Sequence, residues 1–253
     1  RCGIQINRRQ HIHMNDECTI RNFKKPGLAL TQCWDSKFVG LAIIRCGETS
    51  ANGRGGSYAL YMDSLTGSTN ALHFVACRFS NNSAYLYIYN ENSGGAIKFA
   101  SCKFEGLIEP ALNFTNPPLY LERVGDISFD GTTSFKIQMD YANAPYYIQI
   151  DRGHAKFTGT EFSCDPDGRA RWIDQTQTGI GNTTELSNVS FVHSDNRVPF
   201  IRTKGPLLAQ NVKVAQNLDG ETERHAFQLG SNSRIDGLHM THSGSPVLTG
   251  GQL

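Results

Sequence analysis

Residues 72–82 of the chain read LHFVACRFSNN, and residues 97–106 read IKFASCKFEG. In both segments two apolar residues are separated by one residue, and a small residue, Cys77 or Cys102, follows three positions after the second apolar one. This alternation of period two is typical of a short, half-buried β-strand that ends at a turn. Phe74 and Phe99 occupy the same place in the two segments and lie 25 residues apart. A segment that recurs at such a spacing predicts a repeat architecture.

The same pattern continues along most of the chain. Aligned on its second apolar residue, it recurs at Ile43, Phe74, Phe99, Phe129, Phe157, Phe191, Val214 and Met240. A second strand-like segment lies between successive copies, as at residues 60–62 and 86–88, and no segment has a helical apolar face. This repeat predicts an all-β parallel β-helix of about eight or nine rungs, with turn loops of variable length.

Composition supports one globular domain and excludes several other classes. The chain has 253 residues, of which 39% are hydrophobic and 19% charged, and its formal net charge is +1. This balance disfavours disorder and a nucleic-acid partner, and no apolar segment is long enough to cross a bilayer. The seven cysteines are odd in number and form no CxxC pair, which predicts that most of them are buried, reduced thiols in a protein that folds in a cytoplasm. We expect residues 1–253 to form a single β-helix domain, the central part of a longer chain.

The second strand of each rung predicts which side chains face outward, because successive residues of a strand point to opposite sides. The residues before the inward positions predict an aromatic column that includes Tyr61, Tyr87, Tyr120 and Trp172. The residues after the inward positions predict a second column, mainly acidic, that includes Asp63, Tyr89, Glu122, Asp151, Asp174 and Arg202. The two columns are expected to lie side by side on one face.

An aromatic column beside carboxylates suits polysaccharide chemistry. Aromatic rings pack against sugar faces, and glycoside hydrolysis uses two carboxylates that flank the scissile bond. Stacked carboxylates also repel each other, which would raise the pKa of at least one of them, as a general acid requires. The predicted catalytic residues, as acid, base or nucleophile, are Glu122, Asp151 and Asp174. The predicted glycan-binding residues are Tyr61, Asp63, Tyr87, Tyr89, Glu91, Tyr120, Arg152, Trp172 and Arg202.

Several alternatives stay open at this point. Carboxylates on neighbouring rungs favour a retaining mechanism and carboxylates two rungs apart favour an inverting one. Glu91 and Asp140 are alternative acids on turns, and each carboxylate of the column is alternatively a surface group paired with a nearby arginine. The pairs His11 with His13 and His239 with His242 lack a third ligand at metal-binding spacing, so neither a metal nor another cofactor is predicted.

Residues 18–23, 40–47, 72–82 and 97–106 resemble the rungs of right-handed parallel β-helix proteins of the pectate-lyase-like class, and in particular bacteriophage tailspikes. The likeness extends over nearly the whole chain. It implies a homotrimer of the virion tail, folded in the bacterial cytoplasm, that binds and often cleaves capsular or O-antigen polysaccharide. The catalytic carboxylates of this class lie in no fixed sequence motif, so the resemblance assigns no catalytic residue.

The sequence is therefore compatible with three functions. The first is a depolymerase of a bacterial surface polysaccharide, by glycoside hydrolysis or alternatively as a lyase. The second is a glycan-binding module of a tail fibre that carries out no chemistry. The third is a rigid structural β-helix of a tail fibre or secreted adhesin, whose outward aromatic residues pack against sister subunits. The aromatic and acidic columns together with the resemblance favour the first.

Overall fold

In the computed structural model the chain winds into a coil of short parallel β-strands. The structure describes residues 2–15, 18–47, 58–64, 69–90, 96–107, 117–137, 146–164, 171–179, 181–192, 200–215, 225–241 and 247–249. Within these ranges every regular element is a strand, and no helix has the length and apolar character needed to cross a membrane. The predicted all-β parallel β-helix is confirmed.

The strands follow each other at short intervals. In chain order they are β1 (Ile4–Gln10), β2 (His13–Met14), β3 (Thr19–Arg21), β4 (Leu28–Val39), β5 (Ala42–Ile44), β6 (Tyr58–Ser64), β7 (Asn70–Val75), β8 (Arg78–Asn82), β9 (Ala84–Asn90), β10 (Ile97–Ala100), β11 (Lys103–Leu107), β12 (Leu119–Arg123), β13 (Asp126–Asp130), β14 (Ser134–Ile137), β15 (Ile148–Ile150), β16 (His154–Thr158), β17 (Glu161–Cys164), β18 (Ile173–Gln175), β19 (Thr184–Ser187), β20 (Ser190–Val192), β21 (Ile201–Thr203), β22 (Leu207–Ala215), β23 (His225–Gln228), β24 (Arg234–Thr241) and β25 (Val247–Thr249).

Parallel pairing between successive turns forms three sheets that run along the coil. Sheet 1 contains β1, the first part of β4, β6, β9, β12, β15, β18, β21, β23 and β25. Sheet 2 contains β2, the second part of β4, β7, β10, β13, β16, β19 and the first parts of β22 and β24. Sheet 3 contains β3, β5, β8, β11, β14, β17, β20 and the last parts of β22 and β24.

The turns are less uniform than the sequence predicts. Among the described residues, six turns contain three separate strands, namely β1–β3, β6–β8, β9–β11, β12–β14, β15–β17 and β18–β20. Strands β4, β22 and β24 instead pass from one sheet to the next without interruption. The prediction of eight or nine rungs therefore overstates the regular part of the coil.

Two ladders of phenylalanine rings fill the interior. In sheet 2, neighbouring rings of Phe38, Phe74, Phe99, Phe129 and Phe157 stack with centroid separations of 4.7, 4.7, 5.2 and 5.0 Å. In sheet 3, neighbouring rings of Phe79, Phe104, Phe135, Phe162 and Phe191 stack at 4.7, 4.9, 4.9 and 4.7 Å. All ten side chains are fully buried. The ring separations match the strand spacing of about 4.8 Å, so one register satisfies both backbone and rings.

The repeat alignment made from the sequence confused sheets 2 and 3 at four of its eight copies. It put Ile43, Phe191, Val214 and Met240 in the column of Phe74. Ile43 instead pairs with Phe79, and Phe191 pairs with Phe162 and Val214. Met240 pairs with Val214. Each turn presents two similar apolar segments, one for sheet 2 and one for sheet 3, and the sequence pattern does not distinguish them.

The corner between sheets 2 and 3 is made by one residue per turn. In each case this residue has a positive φ: Gly40 (66°), Ala76 (52°), Ser101 (55°), Gly131 (65°), Gly159 (63°), Asn188 (53°), Asn211 (51°) and Gly237 (70°). Glycine and asparagine adopt this left-handed conformation readily, whereas alanine and serine do so at a cost of about 1–2 kcal/mol. The corner geometry therefore imposes a positive φ on Ala76 and Ser101, although both residue types favour a negative φ.

Substitution at this corner tests that interpretation. Ala76 is exposed and has a positive φ. Ala100, on β10, is half-buried and its φ is not positive. Both changes to glycine add freedom to the unfolded chain, but only Ala76→Gly also relieves backbone strain, and Ala100→Gly removes a half-buried methyl group. We expect the Ala76→Gly protein to be more stable than the Ala100→Gly protein by about 1–2 kcal/mol in urea unfolding. Equal destabilisation by the two changes would show that Ala76 is unstrained.

Candidate functional site

The predicted tyrosines and carboxylates lie on the outer face of sheet 1. Tyr61, Tyr87 and Tyr120 occupy the same position on β6, β9 and β12, as predicted, and we call them the tyrosine ladder. The same row continues through Gln149 on β15. Parallel, in-register pairing thus brings together residues that lie far apart in sequence.

The predicted register fails beyond β15. The sequence alignment matched Ile173 to Ile150, but Ile173 pairs with Ile148, and Gln175 pairs with Ile150. The whole strand is therefore displaced by two residues from its expected position. Its apolar residue is the first inward residue of β18 and not the second, a difference that period-two alternation cannot reveal.

Trp172 is the first residue affected by this shift, and its predicted outward placement is wrong. The side chain is fully buried, and its ring packs against Tyr147 and Phe162 at centroid separations of 5.5 and 5.3 Å. A buried ring offers no face to a sugar. Trp172 therefore belongs to the core.

Asp174 is also displaced, and its predicted place above Asp151 in the acidic column is wrong. It pairs with Gln149 and so lies in the row of the tyrosine ladder, where it is 7% exposed. Its carboxylate binds Arg202 through two contacts, Nε to Oδ1 at 2.8 Å and Nη2 to Oδ2 at 2.5 Å. Asp174 is therefore the partner of a guanidinium group and not a member of the carboxylate row.

Arg202 is held from two sides. Its guanidinium carbon lies 5.0 Å from the centroid of the Tyr146 ring, in addition to its contacts with Asp174. The hydrogen bond to Asp174 raises the pKa of Arg202. The guanidinium is therefore fixed in orientation and permanently cationic.

Tyrosine hydroxyl groups hold the carboxylates of the second row. Tyr87 donates to Glu122 Oε2 at 2.7 Å, and Tyr120 donates to Asp151 Oδ2 at 2.6 Å. Both bonds join one turn to the next. A third bond of this kind, from Tyr61 to Asp63 Oδ2 at 2.8 Å, lies within β6. On the outer face of sheet 1, three tyrosine hydroxyl groups therefore each hold one carboxylate in position.

Glu122 lies at an irregularity of β12. Leu121 pairs with Ile88, but the next paired residue is Arg123, opposite Tyr89, so Glu122 is an extra residue in the strand. Such bulges redirect a side chain relative to the regular alternation of a strand and are frequent beside active sites. No signal in the sequence predicted the bulge.

Asp151 accepts two further hydrogen bonds that the sequence did not predict. Gln149 Nε2 and Thr176 Oγ1 both donate to Asp151 Oδ1, each at 2.8 Å. Gln149 lies two residues before Asp151 in the same turn, and Thr176 lies in the next turn. Together with Tyr120, these donors fix the carboxylate from three directions. Thr176 follows the misaligned strand β18, and this error hid its proximity to Asp151.

Tyr87 differs from its neighbours because it is almost fully buried. It forms a small cluster on the outer face with Tyr58 and Ala84, and the rings of Tyr61 and Tyr120 pack against it at 5.0 and 5.7 Å. Burial and the hydrogen bond to Glu122 raise the pKa of Tyr87 well above its ordinary value. Tyr87 therefore supports Glu122 and the neighbouring rings, while Tyr61 and Tyr120 remain half-exposed.

The other predicted residues are distributed as follows. Asp63 and Tyr89 are half-buried and paired with each other in register, and Arg152 is exposed directly after Asp151. Glu91, Asp140 and His242 lie outside the described residues. Within the described ranges, no three His, Cys, Asp or Glu side chains are grouped so that they could hold a metal ion.

Comparisons with known proteins identify phage proteins as relatives. No family model matches the chain. The chain is 26% identical over 259 residues to Depolymerase 1, capsule KN3-specific, of Klebsiella phage KN3-1, in an alignment that covers 97% of this chain and 30% of that protein. Its fold is similar to that of ORF18 of Geobacillus virus E2, with a TM-score of 0.56, 16% identity, and coverage of 98% of this chain and 40% of that one. The expected resemblance to tailspike-type β-helices is confirmed, and the chain spans less than half of either relative.

The burial of Tyr87 predicts a specific pH dependence. Because its pKa is raised in the folded chain, its contribution to stability is complete below about pH 10 and is lost as the pH rises further, where the unfolded chain releases the proton first. Tyr87→Phe should therefore flatten the alkaline loss of unfolding free energy by up to about 1.4 kcal/mol per pH unit. Urea unfolding between pH 9 and about 11.5 measures this difference. Tyr89→Phe, at a half-buried ring of the same strand, is the control, and identical slopes for all three proteins would contradict the prediction.

Proposed function

We propose that this chain is the glycan-cleaving β-helix of a phage tailspike, which binds and hydrolyses a bacterial capsule or O-antigen polysaccharide. The observation that carries the proposal is the pair of tyrosine-held carboxylates, Glu122 and Asp151, on adjacent turns of one outer face. The relative from Klebsiella phage KN3-1 supports it, because a protein similar to nearly all of this chain is a capsule depolymerase by name. Since the chain spans 30% of that protein, activity and substrate are proposed here for this chain and not transferred to it.

The polysaccharide would lie along the coil on the outer face of sheet 1. Tyr61, Tyr89 and Tyr120 are half-buried there and present aromatic surface for the apolar faces of sugar rings. Arg152, exposed directly after Asp151, offers donors for sugar hydroxyl groups, and Asp63 Oδ2, which accepts from Tyr61, has a further lone pair as an acceptor. Tyr87 contributes by packing beneath this surface.

Glu122 and Asp151 would carry out the hydrolysis. One carboxyl group protonates the glycosidic oxygen, and the other acts as a nucleophile or activates water. We assign the second role to Asp151, since Tyr120, Gln149 and Thr176 all direct donors at it and complement a negative charge. Glu122, on the bulge of β12, is assigned the role of proton donor.

The strands of these two residues are hydrogen-bonded neighbours. Their backbones are thus separated by about 4.8 Å, which favours the short carboxyl separation of a retaining enzyme over the longer one of an inverting enzyme. We therefore propose retention of anomeric configuration.

We also propose that the protein assembles as a homotrimer in the virion tail, as its resemblance to tailspikes implies. Static light scattering of the purified protein tests this part independently of activity. A stable monomer at micromolar concentration would contradict it.

The central experiment is incubation of the assembled protein with bacterial capsular and O-antigen polysaccharides, including the KN3 capsule, followed by mass spectrometry of released oligosaccharides. Products at a fixed repeat mass with one added water establish a hydrolase, and an unsaturated terminus would instead establish a lyase. Binding without cleavage would make the face a recognition surface. The absence of both would favour a structural β-helix.

Amide substitutions test the two carboxylates. Glu122→Gln and Asp151→Asn keep the shape of the side chains but remove the acid or the charge, so each should lower kcat by at least about 100-fold. Asp236→Asn is a matched control on the outer face of sheet 2, where Asp236 pairs with Arg234 at 2.8 Å, and it should leave kcat unchanged. Full activity in both site variants would refute the assignment.

Removal of one hydroxyl group tests the positioning of Asp151. Tyr120→Phe keeps the ring that faces the sugar but removes the 2.6 Å hydrogen bond to Asp151. We expect kcat to fall by about tenfold while KM changes little, because the substrate contact is retained. Tyr120→Ala should raise KM as well. A Tyr120→Phe protein with unchanged kcat would show that the other donors suffice.

A further inference from the structure

Charged side chains divide the outer face of sheet 1 into two parts. Carboxylates of the second row, on β6, β12 and after β15, belong to Asp63, Glu122 and Asp151. Farther along the coil, exposed or half-exposed cationic groups belong to Arg152, Arg202 and Lys204. Carboxylates and aromatic rings therefore predominate at one end of the face, where Arg123 of β12 also lies, and cationic groups predominate at the other.

Arg202 is the best-defined group of the basic end. Its Nε and Nη2 atoms are occupied by Asp174, and its plane is supported by the ring of Tyr146. Among the described residues Nη1 has no protein hydrogen-bond partner, and 43% of the side chain is exposed. One edge of the guanidinium is therefore fixed in the protein while the opposite edge faces solvent.

Stability accounts for one edge of the guanidinium only. The Asp174 side chain is 10% exposed, so Nε and Nη2 of Arg202 neutralise a buried carboxylate, but this role does not use Nη1. Fixing the plane of a guanidinium, however, removes the entropy that it would otherwise lose on binding a planar anion. The arrangement therefore suits recognition of a carboxylate.

We propose that Arg202 binds the carboxylate of an acidic sugar, such as a uronic acid, and that Asp174 is the positioning residue that orients it. The inference rests on the proposed function, since it names an acidic polysaccharide as the substrate class of the same face. Exposed Nη1 donates to the sugar carboxylate, and Arg152 and Lys204 add positive charge nearby.

The register fixes where this sugar lies relative to the catalytic carboxylates. Tyr120, Gln149, Asp174 and Arg202 occupy consecutive places of one row, so Arg202 lies three strand steps, or about 14 Å, from Tyr120. The acidic sugar and the sugar on Tyr120 are thus different residues of one glycan that runs along the coil. The acidic sugar lies away from the carboxylates that would repel it.

The test compares each polysaccharide that the assembled wild-type protein binds with its carboxyl-reduced form, in which uronic acids have become neutral sugars. Titration calorimetry gives Kd for both forms. We expect wild type to bind the native polymer about tenfold more tightly than the reduced one, the value of one charge-assisted contact. Arg202→Gln should lose this tenfold preference and bind the reduced polymer as wild type does.

Three further variants separate recognition from folding. Arg202→Gln leaves Asp174 buried without its partner, so the double variant Asp174→Asn with Arg202→Gln, which removes both charges, must show the same loss of preference. Arg202→Lys keeps the charge but not the planar fork, and it should lose part of the preference. Arg234→Gln, which breaks an arginine–aspartate pair on the outer face of sheet 2, should behave as wild type.

The outcomes distinguish this inference from the proposed hydrolysis. Equal affinity of wild type for native and reduced polymer overturns the role of Arg202, even when cleavage continues. Selective binding of the native polymer without cleavage supports Arg202 and overturns the depolymerase. A polymer that neither binds nor is cleaved, across the whole panel, contradicts both.

Discussion

Parallel strands of neighbouring turns must pair in register, and the rest of this structure depends on that constraint. A single turn of the coil cannot bury its inward face alone, because it has no opposing layer. Stacking turns at the strand spacing buries that face against identical positions above and below. The two phenylalanine ladders are the result, since a ring separation of 4.7–5.2 Å is compatible with the backbone hydrogen bonds of every sheet.

The same register organises the outer face of sheet 1. A row of equivalent positions carries Tyr61, Tyr87 and Tyr120, so a hydroxyl group of one turn reaches a carboxylate of the next. The site is therefore assembled between turns, since the tyrosines that hold Glu122 and Asp151 each belong to the preceding turn. Precise placement of Asp151 needs β12, β15 and the segment after β18 at once. The stability of the coil and the geometry of the site therefore both depend on the register in which neighbouring turns pair.

The sequence predicts some of this arrangement and misses the rest for identifiable reasons. The tyrosine ladder was predictable because β6, β9 and β12 each contain two inward apolar residues that bracket one tyrosine. The strand β18 contains only Ile173 as an apolar residue, so its register had two solutions, and the wrong one exposed Trp172 and stacked Asp174 on Asp151. The bulge at Glu122 and the donors Gln149 and Thr176 depend on contacts between turns, which periodicity does not encode.

The corner between sheets 2 and 3 is nearly constant in length. Phe74 and Phe79, Phe99 and Phe104, and Phe157 and Phe162 lie five positions apart, and Phe129 and Phe135 lie six apart, with one left-handed residue in each interval. The spacing between turns varies at the other corners instead, as the 25 residues from Phe74 to Phe99 and the 30 from Phe99 to Phe129 show. Most of the variation in turn length therefore lies at the other edges of the coil. A coil of this design can acquire a new binding loop by lengthening one of those edges, while the corner between sheets 2 and 3 changes by at most one residue and the strands beneath the loop stay aligned.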